Sequence, residues 1–305
     1  MVSADDDRNG PDHRRNPDEP DGSGTQDDLL VTFDDGSSTT VRLFRAERPD
    51  APVVLFLPAM GVRASYYEVL ADVLVEEGVH VALADHRGHG GSSVRASRRN
   101  TWGYADLLER ELPGITDAVR SAFGADELVL AGHSLGGQLS LLYAATAPHG
   151  VSRAAVIGTG TAWHRTVSGR EAVGRWFGVR LTGVVAGLWG YLPQWFPFAG
   201  REARHVIHDW VREGRTGRYA LSRTDVDYEA ALAKTTVPTL FVGFERDPLV
   251  PPAGLRHIAD KVTAAPVTLR ELSLAQLRLK EPSHYHWARR PQAVADALTE
   301  WMAQP

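Results

Sequence analysis

The hydropathy pattern of the chain alternates between short apolar runs and longer amphipathic stretches. The apolar runs have the length of buried strands, and the amphipathic stretches carry apolar residues at helical spacing. The pattern predicts strands at residues 29–33, 39–46, 52–57, 79–84, 127–131, 154–157, 239–243 and 267–272. It predicts helices at residues 65–77, 104–123 with an interruption at Pro113, 138–147, 252–262 and 289–302. Repeated strand–helix units favour an α/β fold with a mostly parallel central sheet and helices on both faces.

The alternation stops in one long segment, and this suggests how the chain is divided. Residues 160–233 contain five of the eight tryptophans and read as mainly helical. We interpret them as a helical lid inserted into a core built from residues 27–159 and 234–305. Residues 1–26 are rich in Asp, Arg, Pro and Gly and have no aromatic residue, which predicts a disordered N-terminal tail.

Composition narrows the class of protein. With 305 residues, 43% of them hydrophobic, the chain has ample material for a core, and its net charge of -5 argues against nucleic acid as a partner. The absence of cysteine excludes disulfides and thiolate metal sites. No signal peptide and no membrane span can be identified, so we expect a cytoplasmic protein. Nothing in the sequence calls for a cofactor, and the oligomeric state is not predicted.

The segment Gly132–Gly137, with the sequence Gly-His-Ser-Leu-Gly-Gly, is the candidate centre of the chemistry. It lies between the apolar run 128–131 and the predicted helix 138–147. A strand, a Gly-x-Ser-x-Gly turn and a helix in succession form the pattern of a nucleophile elbow. Such a turn holds the hydroxyl of its serine, here Ser134, above the sheet with a helix N-terminus beneath it.

A serine hydroxyl needs a base and an acid to act as a nucleophile, and both are expected at strand ends. The acid candidate is Asp247, just past the strand at 239–243, with Glu245 as a nearby rival. Asp225 and Asp227 are weaker rivals because they belong to the predicted insert.

The base candidates lie between the last strand and the last helix. His284 and His286 both occur there, in Ser-His-Tyr-His-Trp, and both fit the role of the base. Their spacing could also suggest a metal pair, but no third ligand stands at companion spacing, so we expect no metal. For the oxyanion, one donor should be the backbone N–H of Leu135, and the loop after strand 52–57 supplies a second at Met60.

These motifs resemble those of the α/β-hydrolase superfamily over about residues 29–303, nearest to its serine-aminopeptidase and monoacylglycerol-lipase-like branch. Asp85–Ser92 is similar to a structural turn of that superfamily, and Gly132–Gly137 matches its elbow. The family histidine usually stands in Gly-His-aromatic, which Ser283–Tyr285 matches with serine for glycine. The resemblance therefore favours His284 over His286.

The resemblance also implies the α/β-hydrolase fold, and the order Ser134, Asp247, His284 is the order of its catalytic triad. One departure is that Pro58–Ala59 replaces the usual His-Gly pair of the oxyanion loop. The backbone donor of Met60 survives this change.

The sequence thus predicts a serine hydrolase that cleaves an ester or thioester through an acyl-enzyme on Ser134. The aromatic residues of 160–233 suggest a small-molecule substrate with an apolar acyl group, although they could equally form the core of the lid. The same triad leaves other functions open: a C–C bond hydrolase, an acyltransferase, a short-peptide aminopeptidase or a non-catalytic binding protein of this fold.

Overall fold

A mixed central sheet organises the chain. The computed structural model describes residues 26–147 and 149–304. Its strands are β1 (Gln26–Thr32), β2 (Ser38–Phe44), β3 (Val53–Leu57), β4 (His80–Ala84), β5 (Leu128–His133), β6 (Val151–Ile157), β7 (Tyr191–Leu192), β8 (Glu202–Ala203), β9 (Thr239–Phe244) and β10 (Val267–Leu272). Within the described residues, eight of them form one sheet in the order β1-β2-β4-β3-β5-β6-β9-β10. The pairs from β4 to β10 are parallel and those of β1 and β2 antiparallel, which confirms the predicted sheet.

Helices cover both faces of the sheet, as predicted. They are α1 (Glu68–Glu76), α2 (Tyr104–Asp106), α3 (Leu112–Phe123), α4 (Leu135–Thr146), α5 (Gly169–Trp189), α6 (Arg204–Thr216), α7 (Tyr228–Lys234), α8 (Pro252–Ala259) and α9 (Gln292–Met302). Residues of α1 and α9 pack on one face, and residues of α3, α4 and α8 pack on the other. None of the helices in the described part of the chain is both long and apolar enough to cross a bilayer.

Strand β3 shows why the central strands read as continuous apolar runs. Val53, Leu55 and Leu57 belong to the cluster on one face, and Val54 and Phe56 belong to the cluster on the other. All five are buried, since helices cover both faces of a parallel sheet and neither side of the strand meets water.

The helical stretch from α2 to α3 is interrupted beside Pro113, as the sequence predicts. A π-helical turn, Leu107–Glu111, joins the two helices, and Pro113 lies in the first turn of α3. Proline has no N–H to donate to the preceding turn, so a local change of hydrogen-bond register accommodates it.

The segment between β6 and β9 carries α5, the short hairpin β7–β8, α6 and α7. Helices dominate it, as expected, but the hairpin is not anticipated by the sequence. The predicted N-terminal tail lies outside the described residues except for its last residue, Gln26, with which β1 begins.

Two glycines, one inside α5 and one at its C-terminal cap, test how backbone conformation affects the free energy of unfolding. Gly178 lies in the helix interior, and a Cβ there would meet nothing within 4 Å. Gly178→Ala should therefore raise the free energy of unfolding by about 0.5–1 kcal/mol, measured by urea denaturation. Gly190→Ala is the matched control: this residue caps α5 at φ +83°, and a Cβ would lie 3.1 Å from the Cα of Arg98. It should lower stability, and the same sign for both variants would contradict this account.

Candidate active site

Ser134 occupies a strained turn between β5 and α4. Its φ of 53° and ψ of -113° lie in a region that non-glycine residues rarely adopt. Its N–H donates to the Ile157 carbonyl at 3.0 Å, and its carbonyl accepts from Gln138 N–H and Thr159 Oγ1, both at 3.1 Å. The end of β6 and the first turn of α4 thus hold the backbone of Ser134 in this conformation.

Close contacts with neighbouring atoms explain the glycines around Ser134. A Cβ on Gly132 would lie 2.3 Å from the Gly136 backbone, and one on Gly137 would lie 2.1 Å from Thr159 Oγ1. A Cβ on Gly136 would lie 2.1 Å from the Leu57 carbonyl oxygen. The start of α4 therefore packs directly on the end of β3, which brings Leu135 next to the loop that follows β3.

Asp247 and His284 form a buried pair at the ends of β9 and β10. His284 Nδ1 lies 2.8 Å from Asp247 Oδ2, and the two side chains are almost completely buried. The other carboxylate oxygen of Asp247 accepts the N–H groups of Leu249 at 2.8 Å and Val250 at 3.1 Å. These bonds fix the carboxylate, which in turn orients the imidazole with Nδ1–H toward the acid.

The remaining ring nitrogen of His284, Nε2, is buried and has no hydrogen-bond partner among the described residues. Ser134 and His284 are consequently not hydrogen-bonded to each other here. The histidine ring does lie beside the elbow, since its centroid is 4.5 Å from that of His133, the residue before Ser134. A free Nε2 lone pair on a ring oriented by a carboxylate suits a general base, and such bonds often tighten only with substrate.

Two of the rival acids, Glu245 and Asp227, form contacts away from His284. Glu245 accepts the Leu274 N–H at 2.9 Å and pairs with Arg246. Asp227 caps the N-terminus of α7 through the Ala230 N–H, as a residue of the inserted segment. The structure therefore brings together Asp247 and His284 out of the candidates considered. No group of three or more metal-ligating side chains is present in the described ranges.

The loop after β3, which carries the expected second oxyanion donor at Met60, is anchored on both sides. The Pro58 carbonyl accepts a hydrogen bond from His86 Nε2 at 2.7 Å, and the Ala59 N–H donates to the Tyr67 hydroxyl at 3.2 Å. Tyr67 is also joined to His133 Nδ1 at 2.7 Å. A chain of polar contacts thus connects the loop to the elbow itself.

Sequence reasoning missed these anchoring residues. It treated the turn that begins at Asp85 as purely structural, and the Asp85 carboxylate does accept backbone N–H groups of Ala64 at 2.7 Å and Gly91 at 3.0 Å. His86, the next residue, contacts a carbonyl 28 positions earlier. The available signal was a histidine two residues after the buried strand β4, where a buried polar group needs a partner.

Burial keeps two of these histidines uncharged. It lowers the pKa of His86 to about 4 and holds the pKa of His133 well below its usual range. A neutral His86 with its proton on Nε2 donates to the Pro58 carbonyl, so the loop anchor is intact at neutral pH.

The chain matches the model of a known protein family. Residues 48–274 match the model of the serine aminopeptidase family S33, a span that includes the elbow and Asp247 and ends before His284. The chain belongs to this family of α/β-hydrolases.

Individual relatives match this S33 family member over a short segment or at low sequence identity. A proline iminopeptidase of Lactobacillus delbrueckii subsp. lactis is 34% identical over 93 residues, and the match spans only 30% of the length of each chain. A putative carbamate hydrolase, RutD, of Rhizobium rhizogenes is 24% identical over 79% of this chain and 92% of its own. Est1E of Butyrivibrio proteoclasticus, solved with ferulic acid bound, has a TM-score of 0.62 at 16% identity, covering 90% of this chain and all of its own. At this low identity, the likeness to Est1E shows that the two proteins share a fold and nothing more.

The His86 anchor predicts a pH dependence of stability. Its pKa is depressed in the folded state, so the unfolded chain binds the proton more tightly and stability falls as the pH drops from 7 toward 4. His86→Gln keeps an amide donor for Pro58 but does not titrate. Between pH 7 and pH 5, the wild type should lose about 2 kcal/mol more unfolding free energy than the variant in urea titrations. Equal losses would show that His86 is not held neutral.

Proposed function

We propose that the protein is a serine hydrolase that cleaves an ester or thioester with an apolar acyl group through an acyl-enzyme on Ser134. The observation that carries the proposal is the buried Asp247–His284 pair: the imidazole ring lies beside the strained serine turn, and its Nε2 has no partner among the described residues. This arrangement supplies a nucleophile, an orienting acid and a base in the segments that follow the parallel strands β5, β9 and β10.

In the proposed reaction, Ser134 Oγ attacks the acyl carbon while His284 Nε2 takes its proton. The N–H groups of Leu135 and Met60 hold the resulting oxyanion. The C–O or C–S bond then breaks, and His284 returns its proton to the leaving alcohol or thiol. Water, deprotonated by the same histidine, attacks the acyl-enzyme, and Ser134 recovers its proton as the acid is released. Asp247 stabilises the imidazolium in both steps.

We further propose that residues 160–233 act as a lid on the core of residues 27–159 and 234–305. A Cβ on Gly61, which ends the Met60 loop, would lie 2.1 Å from the Ala199 carbonyl oxygen. The inserted segment thus touches the candidate oxyanion loop. His89 Nε2 also lies 2.9 Å from Glu202 Oε2, which ties the insert to the loop after β4. Phe196 and Phe198, next to Ala199, are partly buried and offer apolar surface to an acyl chain.

The proposal is tested first at the nucleophile. Ser134→Ala should reduce kcat on p-nitrophenyl esters by about 10⁴-fold or more, because no other group can form the acyl-enzyme. Ser140→Ala is the matched control in α4, the helix that follows Ser134: its hydroxyl is buried without a partner among the described residues, so its loss should leave activity intact. Retained turnover in Ser134→Ala with a normally folded protein would refute the mechanism.

A second prediction concerns the choice of acid. Asp247→Asn should lower kcat by about 10⁴-fold, since an amide no longer stabilises the protonated histidine. Glu245→Gln should leave kcat within a few-fold of the wild type, because that carboxylate binds the Leu274 N–H instead. Steady-state kinetics on one ester distinguish the two acids, and a reversed result would reassign the triad.

An aminopeptidase activity is the second candidate, favoured by the S33 family match and the proline iminopeptidase relative. A substrate panel separates the two: p-nitrophenyl esters and acyl thioesters of increasing chain length against aminoacyl p-nitroanilides. Ester or thioester turnover that rises with chain length supports the proposal. Preferential cleavage of the anilides, abolished by Ser134→Ala, would support the peptidase.

A further inference from the structure

The outer side of α5 exposes a continuous apolar stripe. Val173, Phe177, Leu181, Val184 and Leu188 repeat at helical spacing, and their exposed fractions are 57%, 62%, 54%, 55% and 68%. We call these five residues the outer ridge. Exposed apolar residues scattered singly are ordinary on protein surfaces, but a contiguous stripe of this length indicates a binding surface.

The inner side of α5 is apolar as well. Val179, Val185 and Ala186 are buried there, and α5 packs against α6. A surface helix normally presents a polar face to water, so one that is apolar on both sides lacks a partner on its outer side. Trp176, Trp189 and the nearby Trp195 are exposed as well, so a large part of the aromatic content of the insert faces outward.

A basic groove borders the outer ridge. Between α5 and α6 lies a surface groove of about 810 Å³ whose polar lining includes Arg180, His208, Arg212 and Arg215. It shares Val184 with the ridge. We call it the arginine groove, and none of its lining residues in the described chain is a carboxylate.

The acidic residues of α6 do not neutralise this groove. Asp209 is buried and accepts the Tyr104 N–H at 3.0 Å, and Glu213 is buried and bound to the Thr161 hydroxyl. On α5, Glu171 pairs with Arg175 at 3.1 Å. Uncompensated positive charge therefore lies directly beside exposed apolar surface.

We propose that the outer ridge and the arginine groove together dock the protein on an anionic lipid bilayer. The ridge enters the boundary between headgroups and acyl chains, and the guanidinium groups of the groove bind lipid phosphates. The helix lies in the plane of the surface, because its arginines and its burial against α6 are incompatible with crossing the bilayer. A second copy of the chain is a poorer occupant, since two ridges face to face would bring the two arginine grooves together.

Vesicle sedimentation tests this proposal on the full chain carrying Ser134→Ala, which prevents lipid turnover and makes the result independent of the proposed hydrolase. The protein should sediment with phosphatidylcholine vesicles that contain phosphatidylglycerol, and less so as salt is added. Binding to phosphatidylcholine alone should be weaker, because the groove then has no net anionic charge to bind.

Two sets of substitutions separate the contribution of the outer ridge to vesicle binding from that of the arginine groove. Phe177→Ser with Leu188→Ser should weaken binding to the anionic vesicles by about tenfold or more, since two exposed apolar side chains that docking would bury in the bilayer are lost. Arg180→Gln with Arg212→Gln and Arg215→Gln should weaken it by about 100-fold and leave binding to phosphatidylcholine unchanged. Leu30→Ser is the matched control: Leu30 is equally exposed on β1, away from α5, and its replacement should have no effect.

Three results would overturn the proposal. One is an absence of sedimentation with either vesicle, and another is equal binding by the ridge variant and the Leu30→Ser control. The third is a concentration-dependent dimer in light scattering that the ridge substitutions abolish while vesicles are not bound, which would make the ridge a self-association face. Far-UV circular dichroism of each variant confirms that the surface substitutions leave the fold intact.

Discussion

Close packing around the turn at the carboxyl end of β5 leaves no space for a side chain at any of its three glycines. At Gly132, Gly136 and Gly137, a Cβ would lie within 2.3 Å of another atom. The helix α4 can therefore start directly on the ends of β3 and β6, and Ser134 is left in a conformation that its N–H stabilises by donating to the Ile157 carbonyl of β6. The position of the candidate nucleophile, and of the loop that faces it, depends on this contact between main chains.

Three buried histidines around this contact differ in the groups they bind. His86 donates to a carbonyl and His133 is joined to a phenol, and burial keeps both uncharged. His284 instead binds a buried carboxylate. A carboxylate partner lowers the cost of an imidazolium that forms and disappears during turnover, whereas a neutral partner does not. This difference separates the candidate catalytic histidine from the two that support the loop and the elbow.

The sequence predicted those parts of the structure that depend on local pattern. Strands such as β3 are apolar throughout because helices bury both faces, so their positions could be identified from composition alone. The choice between His284 and His286 could not be made that way, because the distance to Asp247 depends on how the loops after β9 and β10 meet. The anchors His86 and Tyr67 were missed for the same reason, since their partners are distant in sequence.

The insert was the hardest segment to interpret. Its aromatic residues suggest a substrate site or a core, and the structure places three of them, Trp176, Trp189 and Trp195, at the surface. Composition gives the number of apolar residues in a helix that is apolar on both sides, but not which of them is left uncovered. That information comes from the packing of α5 on α6.

The anchoring of the Met60 loop has a consequence for protein engineering. Its shape is supported by Tyr67 from the first turns after the loop and by His86 from just after β4, both of which lie outside its own four residues. Grafting Pro58–Gly61 into another hydrolase would transfer the sequence without its supports. A functional transplant would have to move Tyr67 and His86 with the loop, as one unit drawn from three separate places in the chain.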